Sequence, residues 1–432
     1  MDWNITPAKT LSGEIIVPPD KSISHRAIMF GSLAKGGMAV NNFLSGEDCL
    51  RTLNAFKEMG IEITMEENNK VIIHGKGLRG LKKPAGELYM GNSGTSMRLI
   101  SGILAGQEFT TILTGDESLS KRPMARVIKP LKLMGAQIEA VDGGDHAPLR
   151  VTGRGTKLSA IEYNMPMASA QVKSCVLLAG MYADGETSIV EPFKSRDHTE
   201  RLLSYFGAEM RVDGLRVTIV PDKELRAKDI TIPGDISSAA FFIVAGLIVE
   251  GAHIILKNVG LNGTRVGIIN VLKRMHADIN VLPASIEFEP YGNIEIRFSE
   301  LKGTTVEREE IPLLIDEVPI LLVAGSMAEG ETLIKGTGEL KVKETDRVKS
   351  MMYNLREMGV SIREEGDTLI VTGKKNRILN NSSKLESFGD HRTAMSMAIS
   401  ALVSKGECVI HDTACVDTSY PNFLTDLSRI KS

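Results

Sequence analysis

The stretch Val17-Pro18-Pro19-Asp20-Lys21-Ser22 has a counterpart with a similar order of residue types, Ile232-Pro233-Gly234-Asp235-Ile236-Ser237. Both copies follow a short β-branched run. Both open an apolar stretch that extends to a glycine sixteen positions after the aspartate, at Gly36 and Gly251. An aspartate before a helix and a glycine after it are common capping residues. The recurrence therefore predicts a chain built from copies of one supersecondary unit.

Four further segments open in the same way, at residues 91–95, 168–171, 315–319 and 388–392. Their helices are expected to stop at Gly106, Gly185, Gly330 and Gly406. Each opening is followed by an amphipathic helical pattern and then by two strand-like runs with turn signals such as Asn68-Asn69 between them. The unit is thus strand, buried helix, strand, amphipathic helix and hairpin, repeated about six times at roughly 70 residues each.

The repeat pattern predicts an α/β protein of two similar domains. The sixth copy has a second helix near residues 421–429 and no hairpin after it, so the strand-like segment 4–17 is expected to complete it. Three units then form a domain over residues 20–233, and the other three form a second domain from residues 1–19 and 234–432. Two chain crossings, near Asp20 and Gly234, suggest a hinge that is open without ligand and closed with it. A repetitive α/β solenoid without an active cleft is the alternative.

Composition excludes several classes of function. The 432 residues carry 51 Lys and Arg against 54 Asp and Glu, so no basic excess points to nucleic acid. No apolar run reaches the roughly 18 residues of a membrane span. The four cysteines form no CxxC pair, which argues against a zinc site and favours a reducing cytoplasm. Because no P-loop, GxGxxG after a strand or HExxH occurs, neither a nucleotide cofactor nor a metal is expected.

The unit openings carry basic, hydroxyl and acidic side chains. Helix N-termini attract anions, because unpaired N–H groups and the helix dipole both point there. The groups concerned lie at residues 21–26, 91–98, 169–171, 316–317 and 390–392, and at the second-helix entrances 122, 195–198 and 343–347. Singly, such motifs are typical of turns, caps and solvated helix starts. Their recurrence at equivalent places predicts two faces that enclose a multiply anionic substrate and a proton-transfer reaction.

Taken together, the motifs closely resemble the 5-enolpyruvylshikimate-3-phosphate synthase family, in the form of its second bacterial class. The resemblance covers nearly the whole chain. It rests on KSISHRA from Lys21, GNSGTSMRL from Gly91, GDESLSKRPM from Gly115, MASAQVKS from Met167, SRDHTE from Ser195, IDEVP from Ile315, VKETDR from Val342 and GDHR from Gly389. It implies an inside-out α/β barrel fold: two domains, each of three βαβαββ units, joined by two crossovers.

The resemblance also implies an activity, the transfer of the carboxyvinyl group of phosphoenolpyruvate to the 5-hydroxyl of shikimate 3-phosphate with release of phosphate. It implies contacts to shikimate 3-phosphate from Lys21, Ser22, Arg26, Ser169, Ala170, Gln171, Arg196, Asp316 and Lys343. It implies contacts to phosphoenolpyruvate from Lys21, Asn92, Gly94, Thr95, Arg122, Gln171, Arg347 and Arg392. Asp316 would be the base at the 5-hydroxyl, and Glu344 the leading candidate to protonate the vinyl carbon, with Lys21 and His391 nearby. A monomer without cofactor is expected, with glyphosate as an inhibitor.

Some positions depart from the family or admit another interpretation. Thr418 stands where first-class members carry a phosphoenolpyruvate-binding lysine, and Arg196 replaces their tyrosine near the shikimate ring. The related UDP-N-acetylglucosamine enolpyruvyl transferases have Lys-Asn where this chain has Lys21-Ser22, and a cysteine in a loop that here, at 115–124, has none. A non-enzymatic scaffold would not need Asp316 among cations. Gly94 would alternatively be a turn residue with positive φ.

Overall fold

The chain forms two compact units. The structure is a computed structural model that describes residues 1–286, 288–375 and 378–432. Pro19–Ile232 make up one unit, here called the inserted unit, and Met1–Pro18 with Pro233–Ser432 make up the other, here called the discontinuous unit. The discontinuous unit opens with two short strands, β1 (Trp3–Ile5) and β2 (Ser12–Ile16).

The inserted unit contains three successive copies of the helix-and-sheet repeat. The elements of the first copy are α1 (Lys21–Leu33), β3 (Lys35–Asn41), α2 (Glu47–Glu58), β4 (Glu62–Glu66) and β5 (Lys70–Lys76). Those of the second are β6 (Leu88–Tyr89), α3 (Gly94–Ala105), β7 (Thr110–Thr114), α4 (Glu117–Ser120), α5 (Ala125–Leu133), β8 (Gln137–Ala140) and β9 (Leu149–Thr152). Those of the third are β10 (Glu162–Asn164), α6 (Ala170–Gly180), β11 (Thr187–Val190), α7 (His198–Tyr205), β12 (Met210–Asp213), β13 (Arg216–Ile219) and β14 (Ile230–Thr231).

Each sheet of the inserted unit follows one plan. In the second copy β6 runs parallel to β7, and β9 pairs antiparallel with both β7 and β8. The third copy repeats this with β10, β11, β13 and β12. The predicted unit of strand, buried helix, strand, amphipathic helix and hairpin is confirmed, and the structure adds that the strands before and after the buried helix are parallel.

The first helix of each copy forms the interior of the inserted unit. α1, α3 and α6 are buried along nearly their whole length, and α3 packs against both α1 and α6. The second helices α2, α5 and α7 are buried on one side only. Apolar residues on all sides suit a helix enclosed by neighbours, and an apolar stripe suits one at the surface.

The discontinuous unit contains the other three copies. Its fourth-copy elements are α8 (Ile236–Ile248), β15 (His253–Gly260), α9 (Gly267–Arg274), β16 (Asp278–Ile286) and β17 (Pro290–Arg297). Those of the fifth are β18 (Thr305–Val306), α10 (Ile311–Leu314), α11 (Val318–Met327), β19 (Gly330–Lys335), α12 (Arg347–Glu357), β20 (Ser361–Glu365) and β21 (Thr368–Gly373). Those of the sixth are β22 (Leu385–Glu386), α13 (His391–Ala401), β23 (Cys408–His411) and α14 (Phe423–Ile430).

Strands are exchanged where the chain crosses between units. β14 directly precedes α8 but pairs in parallel with β3 of the first copy. The fourth copy therefore lacks its own leading strand, and β2 takes that place beside β15. The prediction that residues 4–17 complete the sixth copy is right for β1, which pairs with β23, and wrong for β2. The open edge of β15 explains the difference, because its backbone groups need a partner.

Several helices end earlier than their glycines predict. Gly106 does cap α3, but α1 ends at Leu33 and α6 at Gly180. The cap residues Ala34, Val249 and Ala328 are extended, so the chain passes directly from helix towards strand. The predicted terminal glycines then serve in the strand or turn that follows; Gly330, with φ of 95°, begins β19.

No described helix is long and apolar enough to cross a membrane.

Candidate active site

The first turns of the three interior helices of the inserted unit are capped by side chains. Asp20 Oδ1 accepts from the backbone N–H of Ile23 at 2.9 Å, at the start of α1. Ser93 and Ser169 cap α3 and α6 in the same manner, with their hydroxyls accepting backbone N–H groups at 3.1 and 3.4 Å. Side-chain caps use some of the N–H groups that a helix start leaves unpaired.

Hydrogen bonds hold the starts of α3 and α6 side by side. Gln171 Nε2 donates to Thr95 Oγ1 at 3.0 Å, and Gln171 Oε1 accepts from Arg98. Arg122 donates to Asn92 Oδ1 in the turn before α3. The Arg98 cluster is defined as Asn92, Thr95, Arg98, Arg122 and Gln171. Four of its members are predicted phosphoenolpyruvate contacts, so the structure gathers them at one place.

Gly94 lies at the first position of α3, inside this cluster. A Cβ built there would be 3.4 Å from Nη1 of Arg98 and 3.4 Å from Nη1 of Arg122, which is ordinary van der Waals contact. Its φ lies outside the left-handed region, so the alternative of a turn glycine with positive φ is wrong. The space above Gly94 is thus bordered by two guanidinium groups, a suitable place for a small anion.

The start of α1 carries a charged pair. Lys21 is its first residue and forms an ion pair through Nζ with the nearly buried Asp48 of α2. Ser22, which follows, is half-buried. The carboxylate of Asp48 holds the ammonium in place at the start of α1.

Arg26 is buried in the inserted unit, where it forms hydrogen bonds between helices. It is 3% exposed, and Nε donates to Thr199 Oγ1 at 2.7 Å while Nη2 donates to Ser174 Oγ at 2.9 Å. Nη1 donates to the carbonyl of Ser22 at 3.0 Å. These bonds tie α1 to α6 and α7. These three hydrogen bonds of Arg26 are with the protein's own helices, and its contact to shikimate 3-phosphate stays a prediction.

The remaining predicted residues of the inserted unit lie at the starts of α6 and α7. Ser169 is the cap of α6 and Ala170 is its first residue, and both are half-buried. Arg196, also half-buried, lies between β11 and α7.

A second cluster, in the discontinuous unit, centres on Arg347, the first residue of α12. Its guanidinium bonds three carboxylates: Nη1 to Asp316 Oδ1 at 3.0 Å, Nη2 to Glu344 Oε2 at 2.6 Å and Nε to Asp390 Oδ2 at 2.8 Å. Burial lowers the pKa of Arg347, but Asp390, Glu344 and Asp316 together raise it above its ordinary value. The Arg347 cluster, defined as Asp316, Glu344, Arg347, Asp390 and Arg392, thus holds a permanent buried cation.

Asp316 lies between two guanidinium groups. Besides its bond to Arg347, its Oδ2 is 3.5 Å from Nη2 of Arg392, and Arg392 Nη1 donates to its carbonyl at 3.3 Å. The N-cap of α11 is Glu317, so Asp316 is not the helix cap that an isolated aspartate there would suggest. Two neighbouring cations favour the ionised carboxylate, the form that can accept a proton.

Lys343 is half-buried directly before Glu344. Burial lowers the pKa of its ammonium to about 8, with Arg347 adding to the lowering, while Asp316 and Glu344 act in the opposite direction. An anion bound at this ammonium would restore the charged form.

We expect the pH titration of Lys343 to have a midpoint at about 8. The titration can be followed by NMR after the lysine amines have been reductively methylated with isotope-labelled methyl groups. In the variant Asp316→Asn the midpoint should fall further, because Asp316 raises the pKa. A midpoint that rises in Asp316→Asn would contradict this electrostatic account. Because folding disfavours the charged form, this lysine should make the unfolding free energy increase as pH rises from about 8 to the unfolded value of 10.5.

His391 and Thr418 are the remaining residues discussed in the sequence analysis. His391 is the first residue of α13 and is 6% exposed, next to Asp390. Thr418 donates its hydroxyl to the carbonyl of Cys415 at 2.8 Å. The threonine hydroxyl is thus used within its own turn, and it brings no cation in place of the lysine of first-class members.

Sequence reasoning missed three residues that organise the two clusters: Asp48, Arg98 and Asp390. Arg98 and Asp390 stand within the quoted motifs GNSGTSMRL and GDHR but were given no role there. Arg98 lies four positions after the start of α3 and reaches Gln171 in the first turn of the neighbouring α6. Asp48 stands outside every quoted motif, and only the packing of α2 on α1 shows its contact with Lys21.

Over the described ranges 1–286, 288–375 and 378–432, no three His, Cys, Asp or Glu side chains are grouped so that they could hold a metal ion.

Known proteins resemble this chain over nearly its whole length. Residues 5–427 match the model of the family described as EPSP synthase (3-phosphoshikimate 1-carboxyvinyltransferase). A 3-phosphoshikimate 1-carboxyvinyltransferase of Geotalea uraniireducens (strain Rf4) is 50% identical over 431 residues, 99% of each chain. One from Geotalea daltonii is 51% identical over 425 residues, 98% of each chain.

Solved structures of other proteins have the same fold as this chain. EPSP synthase from Acinetobacter baumannii superposes with a TM-score of 0.89 at 46% identity, over 100% of this chain and 98% of that chain. The enolpyruvyl transferase NikO from Streptomyces tendae superposes with a TM-score of 0.79 over 99% of this chain and 96% of that chain. At 15% identity the NikO likeness concerns the fold alone. The fold implied by the resemblance is confirmed, and this chain belongs to the EPSP synthase family.

Proposed function

We propose that this chain transfers the carboxyvinyl group of phosphoenolpyruvate to the 5-hydroxyl of shikimate 3-phosphate and releases phosphate, a step in aromatic amino-acid biosynthesis. The family match over residues 5–427 and relatives at about half identity support the reaction. The observation that carries the proposal is the Arg347 cluster, in which a carboxylate capable of accepting a proton lies between two guanidinium groups. Both substrates are anions, which arginine forks bind in two-point contacts.

The proposed mechanism begins with proton removal. Asp316 takes the proton of the 5-hydroxyl, and the oxygen forms a bond to C2 of phosphoenolpyruvate while C3 gains a proton. The resulting tetrahedral intermediate loses phosphate together with a proton from C3, which restores the vinyl group. Arg347 and Arg392 lie next to Asp316 and would hold phosphoenolpyruvate there. The Arg98 cluster lies in the inserted unit and the Arg347 cluster in the discontinuous unit.

Glu344 is the proposed proton donor to C3. Its bond of 2.6 Å to Arg347 favours the ionised form in the protein without ligand. When anionic phosphoenolpyruvate competes for Arg347, that bond weakens and protonation of Glu344 becomes easier. Lys21 and His391 remain alternative proton carriers in this proposal, with the remaining predicted contacts binding the substrates.

A phosphate-release assay tests the function. We expect the purified chain to release phosphate from phosphoenolpyruvate only when shikimate 3-phosphate is present. UDP-N-acetylglucosamine is the control acceptor, because the sister transferases use it. Phosphate release driven by that acceptor alone would refute the proposal, and release with neither acceptor would indicate a plain phosphatase. The relatives at half identity give no support to the sister activity or to a scaffold without activity.

Gly94 leads to a prediction about inhibition by glyphosate, which we propose as a competitor of phosphoenolpyruvate. In Gly94→Ala the new methyl group would lie against Arg98 and Arg122 and collide with the longer glyphosate more than with phosphoenolpyruvate. We expect the inhibition constant to rise roughly 10- to 200-fold relative to the Michaelis constant of phosphoenolpyruvate. The melting temperature should be nearly unchanged, because the backbone at this position suits alanine. A lower melting temperature with an unaltered ratio of the two constants would contradict the steric explanation.

Two further points belong to the proposal. We propose a monomer, which sedimentation velocity tests directly. We also propose a reducing compartment such as the cytoplasm, which the four free thiols of Cys49, Cys175, Cys408 and Cys415 support.

A further inference from the structure

Lys173 is a buried lysine to which the proposed mechanism assigns no role. It lies in the first turns of α6 with 1% of its surface exposed. Its Nζ is 2.6 Å from Glu200 Oε1 and 2.9 Å from Glu191 Oε2, and it donates to the carbonyl of Ser195 at 3.4 Å. These three acceptors match the three N–H donors of an ammonium group.

All three acceptors belong to one short segment, residues 191–200, and that segment carries Arg196. Glu191 directly follows β11, Ser195 directly precedes Arg196, and Glu200 lies in the first turn of α7. The hydroxyl of Ser195 also donates to Glu191. One ammonium therefore fixes the segment at its beginning, beside Arg196 and at its end.

The same ammonium belongs to the helix whose start is a predicted binding element. α6 opens with Ser169, Ala170 and Gln171, which are predicted to contact shikimate 3-phosphate together with Arg196. Lys173 thus connects the Arg196 segment to the first turn of α6. The backbone directly before Arg196 is therefore tied to the first turns of α6.

Stability alone does not account for three buried charges here. Apolar side chains of similar volume commonly replace a buried ion cluster without loss of stability. Burial raises the pKa of the Glu200 carboxyl, while Lys173 acts in the opposite direction. Burial lowers the pKa of Lys173, but Glu200 and Glu191 raise it above its ordinary value, so the ammonium stays charged.

We propose that Lys173 is a positioning residue for shikimate 3-phosphate, which holds the Arg196 segment against the start of α6 through Glu191, Glu200 and the carbonyl of Ser195. This inference rests on the proposed function. Its chemistry is specific, because the planar guanidinium of Arg196 can make two-point contacts with a phosphate only at a fixed distance and angle.

The test compares two variants with the wild-type protein. Lys173→Met strands two buried carboxylates and could fail to fold. The triple variant Lys173→Met, Glu191→Met, Glu200→Met instead removes all three charges and keeps the volume. We expect both to raise the KM and the calorimetric Kd for shikimate 3-phosphate roughly 10- to 100-fold, the cost of a small misplacement. The kcat and the KM for phosphoenolpyruvate should change less than about threefold, because the reacting groups are untouched.

Two controls separate positioning from general damage. Gln107→Leu removes a side chain that is equally buried in the inserted unit, where its Nε2 donates to the carbonyl of Leu78 at 3.0 Å and to Tyr182 Oη at 3.1 Å. It should lower the melting temperature and leave the affinity for shikimate 3-phosphate unchanged. In an Arg196→Met background, adding the triple variant should cost less than about threefold more, because the guanidinium that it positions is gone.

Each outcome decides the inference. Unchanged affinity in the triple variant, or additive effects with Arg196→Met, would overturn it. A wild-type chain that binds shikimate 3-phosphate but releases no phosphate would contradict the proposed function alone, because the calorimetric comparison of variants remains valid.

Discussion

The variant Asp316→Asn should lose roughly 100- to 10,000-fold in kcat, the usual cost of removing a positioned general base. Asparagine keeps the shape and can still accept from Arg347, whose Nη1 is 3.0 Å from Asp316 Oδ1. It cannot take the proton of the 5-hydroxyl. The loss should therefore appear in kcat under saturation with both substrates, measured by phosphate release.

Asp390→Asn is the matched control for that variant. Asp390 also bonds Arg347, at 2.8 Å, and is completely buried, so its amide variant removes an equivalent charge from the same guanidinium. Asparagine also preserves the cap of α13, where Asp390 Oδ1 accepts from the N–H of Arg392. We expect its kcat to fall much less than that of Asp316→Asn. Equal losses in the two variants would show that Asp316 acts through the charge of the cluster and not as a base.

The second large effect concerns stability. Arg347→Met should lower the free energy of unfolding by about 3–5 kcal/mol, because it strands the carboxylates of Asp316, Glu344 and Asp390 without their common cation. For a unit of this size that corresponds to a fall of roughly 6–20 °C in melting temperature. Protonation removes the charge from the stranded carboxylates, so the difference from wild type should shrink as the pH falls towards about 4. Urea unfolding at several pH values measures both effects.

An exposed arginine provides the comparison for Arg347. Arg274 forms a bidentate pair with Glu310, at 2.7 and 3.0 Å, but 42% of its side chain is exposed. Arg274→Met should therefore cost less than about 1 kcal/mol, since water competes for the same groups. If both variants cost the same, the Arg347 cluster would be no stronger than a surface pair.

The repeated pattern of helix openings carries most of the fold. Because the opening at Asp20 matches the one at Asp235, sequence alone predicts equivalent helices there, and α1 and α8 begin at the next residue after each aspartate. Strand partners are harder to predict, because pairing depends on which edge is open in three dimensions. The short β14 shows this, since nothing in its own two residues indicates that it pairs with β3 rather than with β15.

Side-chain partners in the clusters have the same limit. The motif VKETDR identifies Arg347 as a cation at the start of a helix, and the structure confirms that α12 begins there. Its three carboxylate partners come from three separate parts of the chain, so their convergence needs the packing of α11, α12 and α13. The role of Lys173 could not be predicted for a different reason. A single lysine in an apolar helix forms no recognisable sequence pattern, and only its burial in the structure shows that its charge matters.

The exchange of strands at the crossings also bears on how the protein is made. Synthesis proceeds at about 5–20 residues per second, so β1, near residue 5, waits roughly 20–80 s until its partner β23 near residue 410 has been translated. All strands and helices of the inserted unit have by then long left the ribosome. During that interval the apolar side chains of Trp3 and Ile5, which are 6% exposed in the finished protein, have no strand beside them. The apolar residues of β1 are therefore exposed to non-specific association during translation, and a holdase chaperone bound to β1 would protect it until the last copy of the repeat emerges.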